Sequence, residues 1–113
     1  MSPLLGFTKL LDELLSEKKL QTIRLPRKHP IQEGDVLFIY WKLRTKECRK
    51  LGIAYTRSVV RKKFCELTEL DAMRDGFQNL LDLKKAFYDV HPKVTENTEV
   101  DVIRFVWAKK EVS

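Results

Sequence analysis

Val36-Leu37-Phe38-Ile39-Tyr40-Trp41 is the longest unbroken apolar run in the chain, and every member except Leu37 is β-branched or aromatic. Such residues favour the pleated, half-buried surface of a strand. Extended through Lys42-Leu43-Arg44, the run acquires a period of two: Leu37, Ile39, Trp41 and Leu43 share one face, Phe38, Tyr40, Lys42 and Arg44 the other. The first is a core face. The second joins two aromatic rings to two cations, the pairing with which sequence-tolerant nucleic-acid surfaces stack bases and attract phosphate; the alternative reading is that Phe38 and Tyr40 fill the inside of a barrel or lie under a helix. A run of this length cannot cross a bilayer, which takes about 20 apolar residues.

The strand sits in a chain of 113 residues, room for one domain (1–113) and one modest core. With 43% hydrophobic and 34% charged residues, four Gly and four Pro, the composition excludes disordered, collagen-like and disulfide-framework classes. Around residues 36–44 the order of elements follows from periodicity and punctuation. Ser2-Pro3 reads as an N-cap and first helical position, and Phe7, Leu10, Leu11, Leu14 and Leu15 recur at helical spacing, predicting a first helix over residues 3–17. Leu20 to Pro26 reads as a short strand, Arg27 to Gln32 as irregular, and Glu33-Gly34-Asp35 as a turn. Thr45 to Lys50 is a polar hairpin tip, and Leu51 to Leu67 supplies one long strand or two short ones. Thr68-x-x-Asp71 has the spacing of a capping box and opens a helix that stops at Asp75-Gly76. Asn79 caps another, with Leu80, Leu83, Phe87 and Val90 on one stripe until His91-Pro92, and Val100 to Trp107 closes the chain as a strand. Helix, strands, two helices, strand is not the alternation of a parallel sheet. It fits an α+β, mainly β domain, a small mixed or antiparallel barrel with an N-terminal helix and two further short helices.

Charge is unevenly placed. Between Lys18 and Lys63 there are fourteen Lys or Arg against three acids, Glu33, Asp35 and Glu47, a local charge of +11, while the rest of the chain sums to −5. Dense cations displace condensed counterions from phosphate backbones, so a polyanionic partner is one reading; a solvated charged surface, or a face for an acidic protein, is the other. Two cysteines, Cys48 and Cys65, and two histidines do not make the clustered spacing of a zinc site, so neither metal nor cofactor is expected. Lys9, Asp12 and Glu13 interrupt the leucine-rich start, which does not read as a signal peptide, and a cytoplasmic location away from membranes is expected. The oligomeric state is left open, a monomer being the simpler expectation.

The segment Lys19-Leu20-Gln21-Thr22-Ile23-Arg24 resembles the Lys-x-x-Thr-x-Arg signature of ASCH domains, members of the PUA-like barrel superfamily. Further blocks follow in the same order: Gly34-Asp35 entering a strand, Asp71-Ala72-Met73-Arg74-Asp75-Gly76-Phe77, Leu83-Lys84-Lys85, and Val102-Ile103-Arg104-Phe105, so that the resemblance covers most of residues 16–108. Where the family usually has Gly, two residues before the signature lysine, this chain has Glu17, whose charge is expected to change the turn and screen Lys19.

The resemblance implies a β-barrel with a cleft beside the signature strand, a role in RNA or nucleoside recognition and, in some small bacterial members, an amidohydrolase activity on acetylated cytidine carried by a lysine, a threonine and a glutamate. Carried over by motif these fall on Lys19, Thr22 and Asp75. The chemistry is coherent, since a threonine hydroxyl attacks an amide only if its proton is accepted, and a lysine crowded by Lys18, Arg24 and Arg27 has its pKa depressed toward that role. Thr22 and Arg24, two apart on a strand, should point to one side. The leading expectation is a binding domain for RNA or a nucleotide-like ligand, with Lys19, Thr22, Arg24 and Asp75 lining the cleft and Arg27, Lys28, Tyr40, Lys42 and Arg44 contacting phosphates and bases. The amidohydrolase is the alternative.

Overall fold

The computed structural model describes residues 3–7, 10–17 and 19–110. A single five-stranded sheet is formed by β1 (Leu4–Phe7), β2 (Gln21–Arg24), β3 (Val36–Trp41), β4 (Arg49–Lys63) and β5 (Glu99–Lys110), in the spatial order β1-β3-β4-β5-β2. Three helices accompany it, α1 (Leu11–Leu15), α2 (Glu69–Arg74) and α3 (Leu80–Val90), with a 3₁₀ turn at Phe64–Glu66. β1 lies parallel to β3, and every other pairing is antiparallel. The sheet curls into a half-barrel, in keeping with the small α+β, mainly β barrel that the order of elements implied.

The curl has local causes. The long β4 shifts register against β5 between Ile53 and Ala54 and again between Thr56 and Ser58, and β-bulges of this kind bend a strand and increase its twist. At Gly52, where φ is +155°, a Cβ would lie 2.1 Å from the Lys109 carbonyl oxygen, so the backbones of β4 and β5 meet there only because no side chain intervenes. β5 lies inside the sheet, between β4 and β2, and is buried on both faces from Val100 to Ile103. Val100 and Val102 pack with Ile23, Phe64, Leu83 and Phe87 in the core under α2 and α3, whereas Ile103 and Phe105 belong to a second core with Leu5, Leu14, Leu37 and Ile39. The two cores meet along β5, and the inner of the two hollows described below is lined by residues of both.

The helix expected over residues 3–17 is replaced by a strand and a short helix. In β1 the alternation puts Leu5 and Phe7 inside, and Leu5 pairs with Ile39 of β3, a partner 34 positions away. Leu10, at φ +63°, makes the break, and the helical spacing holds only from Leu11 to Leu15. The expected Ser2 cap, and the Lys18 expected to crowd Lys19, lie outside the described residues. A second correction concerns β3, which ends at Trp41. Lys42 and Arg44 adopt left-handed φ of +50° and +69°, and the Lys42 amide donates to the Phe7 carbonyl at 2.8 Å while its own carbonyl accepts from Thr45, so neither cation shares a strand face with Phe38 and Tyr40.

Both helix caps form as their spacing requires. Thr68 and Asp71 exchange side-chain to amide hydrogen bonds, and the Asn79 side chain accepts from the Asp82 amide. α2 ends in a Schellman arrangement: the Gly76 amide donates to the Met73 carbonyl, the Phe77 amide to that of Ala72, and Gly76 takes φ +89°. This fixes Asp75, the last residue before the left-handed glycine, in one orientation. Among the described residues no helix is long and apolar enough to cross a membrane.

Candidate functional site

β2 leaves α1 through a tight turn in which Glu17 adopts φ +64°, a conformation that favours glycine, the residue the family usually has there. The Glu17 carboxylate turns away to Lys110 Nζ at 3.1 Å, so the expected screening of Lys19 does not occur. The Lys19 amide is tied to the Glu13 carbonyl, which aims its side chain at the end of α2. There Lys19 Nζ donates to Asp75 Oδ1 at 2.8 Å and to the Asp75 backbone carbonyl at 3.0 Å. The pair is almost entirely inside the protein, at 4% and 5% exposure.

Thr22 and Arg24 project to the same side of β2, as their spacing predicts, and Arg24 Nε donates to Thr22 Oγ1 at 3.1 Å. The Arg24 guanidinium lies 4.9 Å from the centre of the Phe7 ring, and its Nη2 donates to the Gly6 carbonyl at 2.7 Å. Arg27 Nη2 reaches the Leu4 carbonyl at 2.8 Å. These carbonyls lie on the edge of β1 that pairs with no strand, and β2 is the opposite edge of the sheet, so the two arginines bridge the gap that strand pairing leaves open.

Two hollows lie against this bridge. The inner one, of about 160 Å³, is lined by Lys19, Thr22 and Asp75 together with apolar groups that include Ile23, Phe77 and Phe87. The outer one is a groove of about 780 Å³ carrying Arg27, Lys28, His29 and Arg44. Gly6 and Arg24 line both. Among the described residues the only carboxylate lining the groove is that of Asp35, which already accepts the Gln32 amide.

Desolvation dominates the electrostatics of the inner cavity. Burial pushes the Asp75 carboxyl up to about 6, an effect that Lys19 opposes without cancelling. Burial likewise lowers the Lys19 ammonium against the pull of Asp75. Arg24 falls to about 10, first through burial and then through repulsion by Arg27.

Of the residues singled out from the sequence, Lys19, Thr22, Arg24 and Asp75 converge on the inner cavity, and Arg27, Lys28 and Arg44 on the groove. Tyr40 and Lys42 line neither: Tyr40 is half-buried on β3, and Lys42 is paired with Glu47 at 2.6 Å. The cations of residues 18–63 are thus divided, Arg61 being held by Asp101 and Lys62 by Asp71, and neither lines a hollow. His91 and Phe77 were missed as lining residues. His91 sits four residues after Phe87 with the rings 4.9 Å apart, and that helical spacing was the available signal.

No family model matches the sequence, and no curated protein sequence matches it significantly. Solved structures do. An ASCH domain from Lactobacillus crispatus JV V101 superposes with a TM-score of 0.73 at 13% identity, over 94% of this chain and 79% of that one. A protein of Enterococcus faecalis V583 described by the family model DUF984 gives 0.70 at 13% identity, over 90% and 71%. ASCH from Zymomonas mobilis gives 0.61 at 17% identity, over 95% and 68%. Superposition at such low identity is a statement about architecture, and on that ground the chain has the fold of the ASCH domains.

Proposed function

We propose that this domain binds RNA or a nucleotide-like ligand, a planar heterocycle entering the inner cavity and phosphate lying in the outer groove. The observation that carries this reading is that the two hollows adjoin, sharing Gly6 and Arg24 in their walls, one apolar-walled with a few converging polar groups, the other cationic. A cavity of about 150 Å³ is enough for one benzene-sized ring. Inside it, Asp75 supplies an acceptor and Lys19 and Thr22 supply donors, the complement of a base edge that both gives and takes hydrogen bonds.

The amidohydrolase alternative finds less support. A general base needs a free lone pair within hydrogen-bond reach of the hydroxyl proton. Lys19 donates to Asp75 instead, and the Thr22 hydroxyl accepts from Arg24 Nε, a donor and not a base. Asp75 is also one methylene shorter than the glutamate the family resemblance implies.

Titration of short single-stranded RNA and of nucleotides over a range of salt tests the proposal. With Arg24, Arg27, Lys28 and Arg44 available, log affinity should fall with log salt at a slope of about −2 to −3. Absence of binding, or binding indifferent to salt, would remove the reading. Conversion of acetylated cytidine to cytidine by the unmodified protein would put the amidohydrolase in its place, and capture of an acidic peptide with no affinity for nucleotides would make the groove a protein-docking face.

A further inference from the structure

We propose that Arg24 and Arg27 form a phosphomonoester site at the junction of cavity and groove, so that the ligand of this domain carries a terminal phosphate close to its base. The inference rests on the nucleotide-binding reading above and narrows it to a ligand class.

Buried charges in proteins are ordinarily paired. Arg24 is an exception: it is largely desolvated, yet among the described residues no carboxylate lies within ion-pair distance of it. Its direct guanidinium contacts are the Thr22 hydroxyl, the Gly6 carbonyl and the Phe7 ring, all neutral, and Asp75 attracts it only from beyond ion-pair distance. Arg27, more open to solvent, likewise donates to a neutral group, the Leu4 carbonyl, and among the described residues has no carboxylate at ion-pair distance. Arg27 also repels Arg24 strongly enough to depress its ionisation. Two like charges held together, where the one carboxylate that attracts Arg24, Asp75, is already bonded to Lys19, are the arrangement of a site whose anion arrives with the ligand.

Geometry favours a phosphate over a smaller anion. The accepting carbonyls belong to Leu4 and Gly6, two residues apart on one strand, which spaces them by roughly 7 Å. A guanidinium has five N–H donors, and these contacts engage only some of them, so each arginine has donors left to direct toward an oxyanion between the two. A doubly charged monoester matches two cations, whereas a phosphodiester brings one charge per group. Arg24 also lines the inner cavity, so a phosphate on this pair lies within a nucleotide's length of a ring seated against Ile23 and Phe87.

The test compares, at fixed low ionic strength, calorimetric titrations of the common ribonucleosides, their 5′-monophosphates, and a short single-stranded RNA bearing either a 5′-hydroxyl or a 5′-phosphate. The best monophosphate should bind at least about tenfold more tightly than its nucleoside, the effect of one charge-assisted, bidentate contact. In Arg27→Gln that ratio should collapse toward one, while Lys46→Gln, which removes an exposed cation lining neither hollow, should keep it. An RNA whose 5′-phosphate gives the same gain makes phosphorylated RNA ends the source; a gain confined to the mononucleotide makes it free nucleotides. Equal affinity for nucleoside and monophosphate would overturn the phosphate site and leave nucleotide binding standing, as would a gain that survives in Arg27→Gln. Binding of none of these probes would overturn both.

Discussion

Replacing Lys19 by Met removes half of a buried ion pair, a change that commonly costs 3–5 kcal/mol because the other charge is stranded (about that range across cases). Here the loss should be much smaller, and the reason lies in Asp75. Its carboxyl is held at about 6 in the folded protein against 3.8 ordinarily, so the folded state binds this proton more tightly than the unfolded chain. Stability from this group is therefore greatest at low pH and is lost as pH rises from about 4 to about 6. At pH 7 the ionised form lies only about 1 kcal/mol below the protonated one, since one pKa unit is worth about 1.4 kcal/mol. Deprived of Lys19, Asp75 keeps its proton past pH 6 and forfeits no more than that difference. Adding the lost bond from Lys19 Nζ to the Asp75 carbonyl, and subtracting the desolvation cost of Lys19 itself, the net loss at pH 7 is at most about 1–2 kcal/mol. At pH 5, where the wild-type carboxyl is already protonated, most of it disappears. Urea unfolding of both proteins at pH 7 and pH 5 reads the effect, which corresponds to roughly 4–8 °C in Tm at the higher pH. A loss of about 4 kcal/mol, or one independent of pH, would refute the claim that burial rather than pairing governs this carboxyl. The double variant Lys19→Met with Asp75→Leu should be neutral or more stable than wild type by about 1–4 kcal/mol, while losing ligand affinity.

Three further substitutions test the elements that position the site. Thr68→Ala deletes the side chain that caps α2 through the Asp71 amide and should cost about 1 kcal/mol in urea unfolding, with an unchanged denaturant slope. Glu17→Gly relieves a left-handed conformation worth about 1–2 kcal/mol and forfeits only a surface pair to Lys110 worth about 0–1 kcal/mol, so it should raise Tm or leave it unchanged; a clear drop would show that the pair matters more than the backbone. Gly52→Ala places a Cβ 2.1 Å from the Lys109 carbonyl and should cost about 3 kcal/mol, read as a loss of Tm with the β4–β5 amides exchanging faster than in the wild type.

How far the sequence discloses this structure depends on whether the cause is local. The caps at Thr68 and Asn79 are legible because donor and acceptor lie within one turn, and the inward residues of β3 because a buried face imposes its period on Leu37 and Ile39. The N-terminal segment misleads because its leucines satisfy two periods at once. Leu5 and Phe7 obey the strand period, Leu11, Leu14 and Leu15 the helical one, and the choice is made by parallel pairing with β3, which no local pattern encodes. The turn that removes Lys42 and Arg44 from β3 is hidden for another reason: left-handed conformations there fall on Lys and Arg, without the Gly or Asn that announces them. In the site, Asp75-Gly76 is readable as a helix end, yet that this end meets Lys19 across 56 residues follows only from the packing of α2 against the turn after α1. Thr22 and Arg24 lie together because a strand's period of two requires it, whereas His91 reaches the cavity through α3, where it had served only to mark the helix end.

The placement of the polar groups argues that the fold does not need them. Two apolar cores meet along β5, and at the seam an apolar pair of the size of Lys19 and Asp75 would continue both without the desolvation that lowers one group and raises the other. Arg24 is a heavier cost, a desolvated cation whose hydrogen bonds go to neutral groups while Asp75 attracts it only from a distance. The sheet edges give a partial structural account of it, because β1 and β2 are left unpaired with each other and the arginines occupy carbonyls that a bare edge would expose. A neutral donor such as Gln would cover those carbonyls equally well, without the repulsion between Arg24 and Arg27. What the guanidinium adds over a neutral donor is charge, and charge stored at the mouth of a cavity stabilises nothing until an anion enters it.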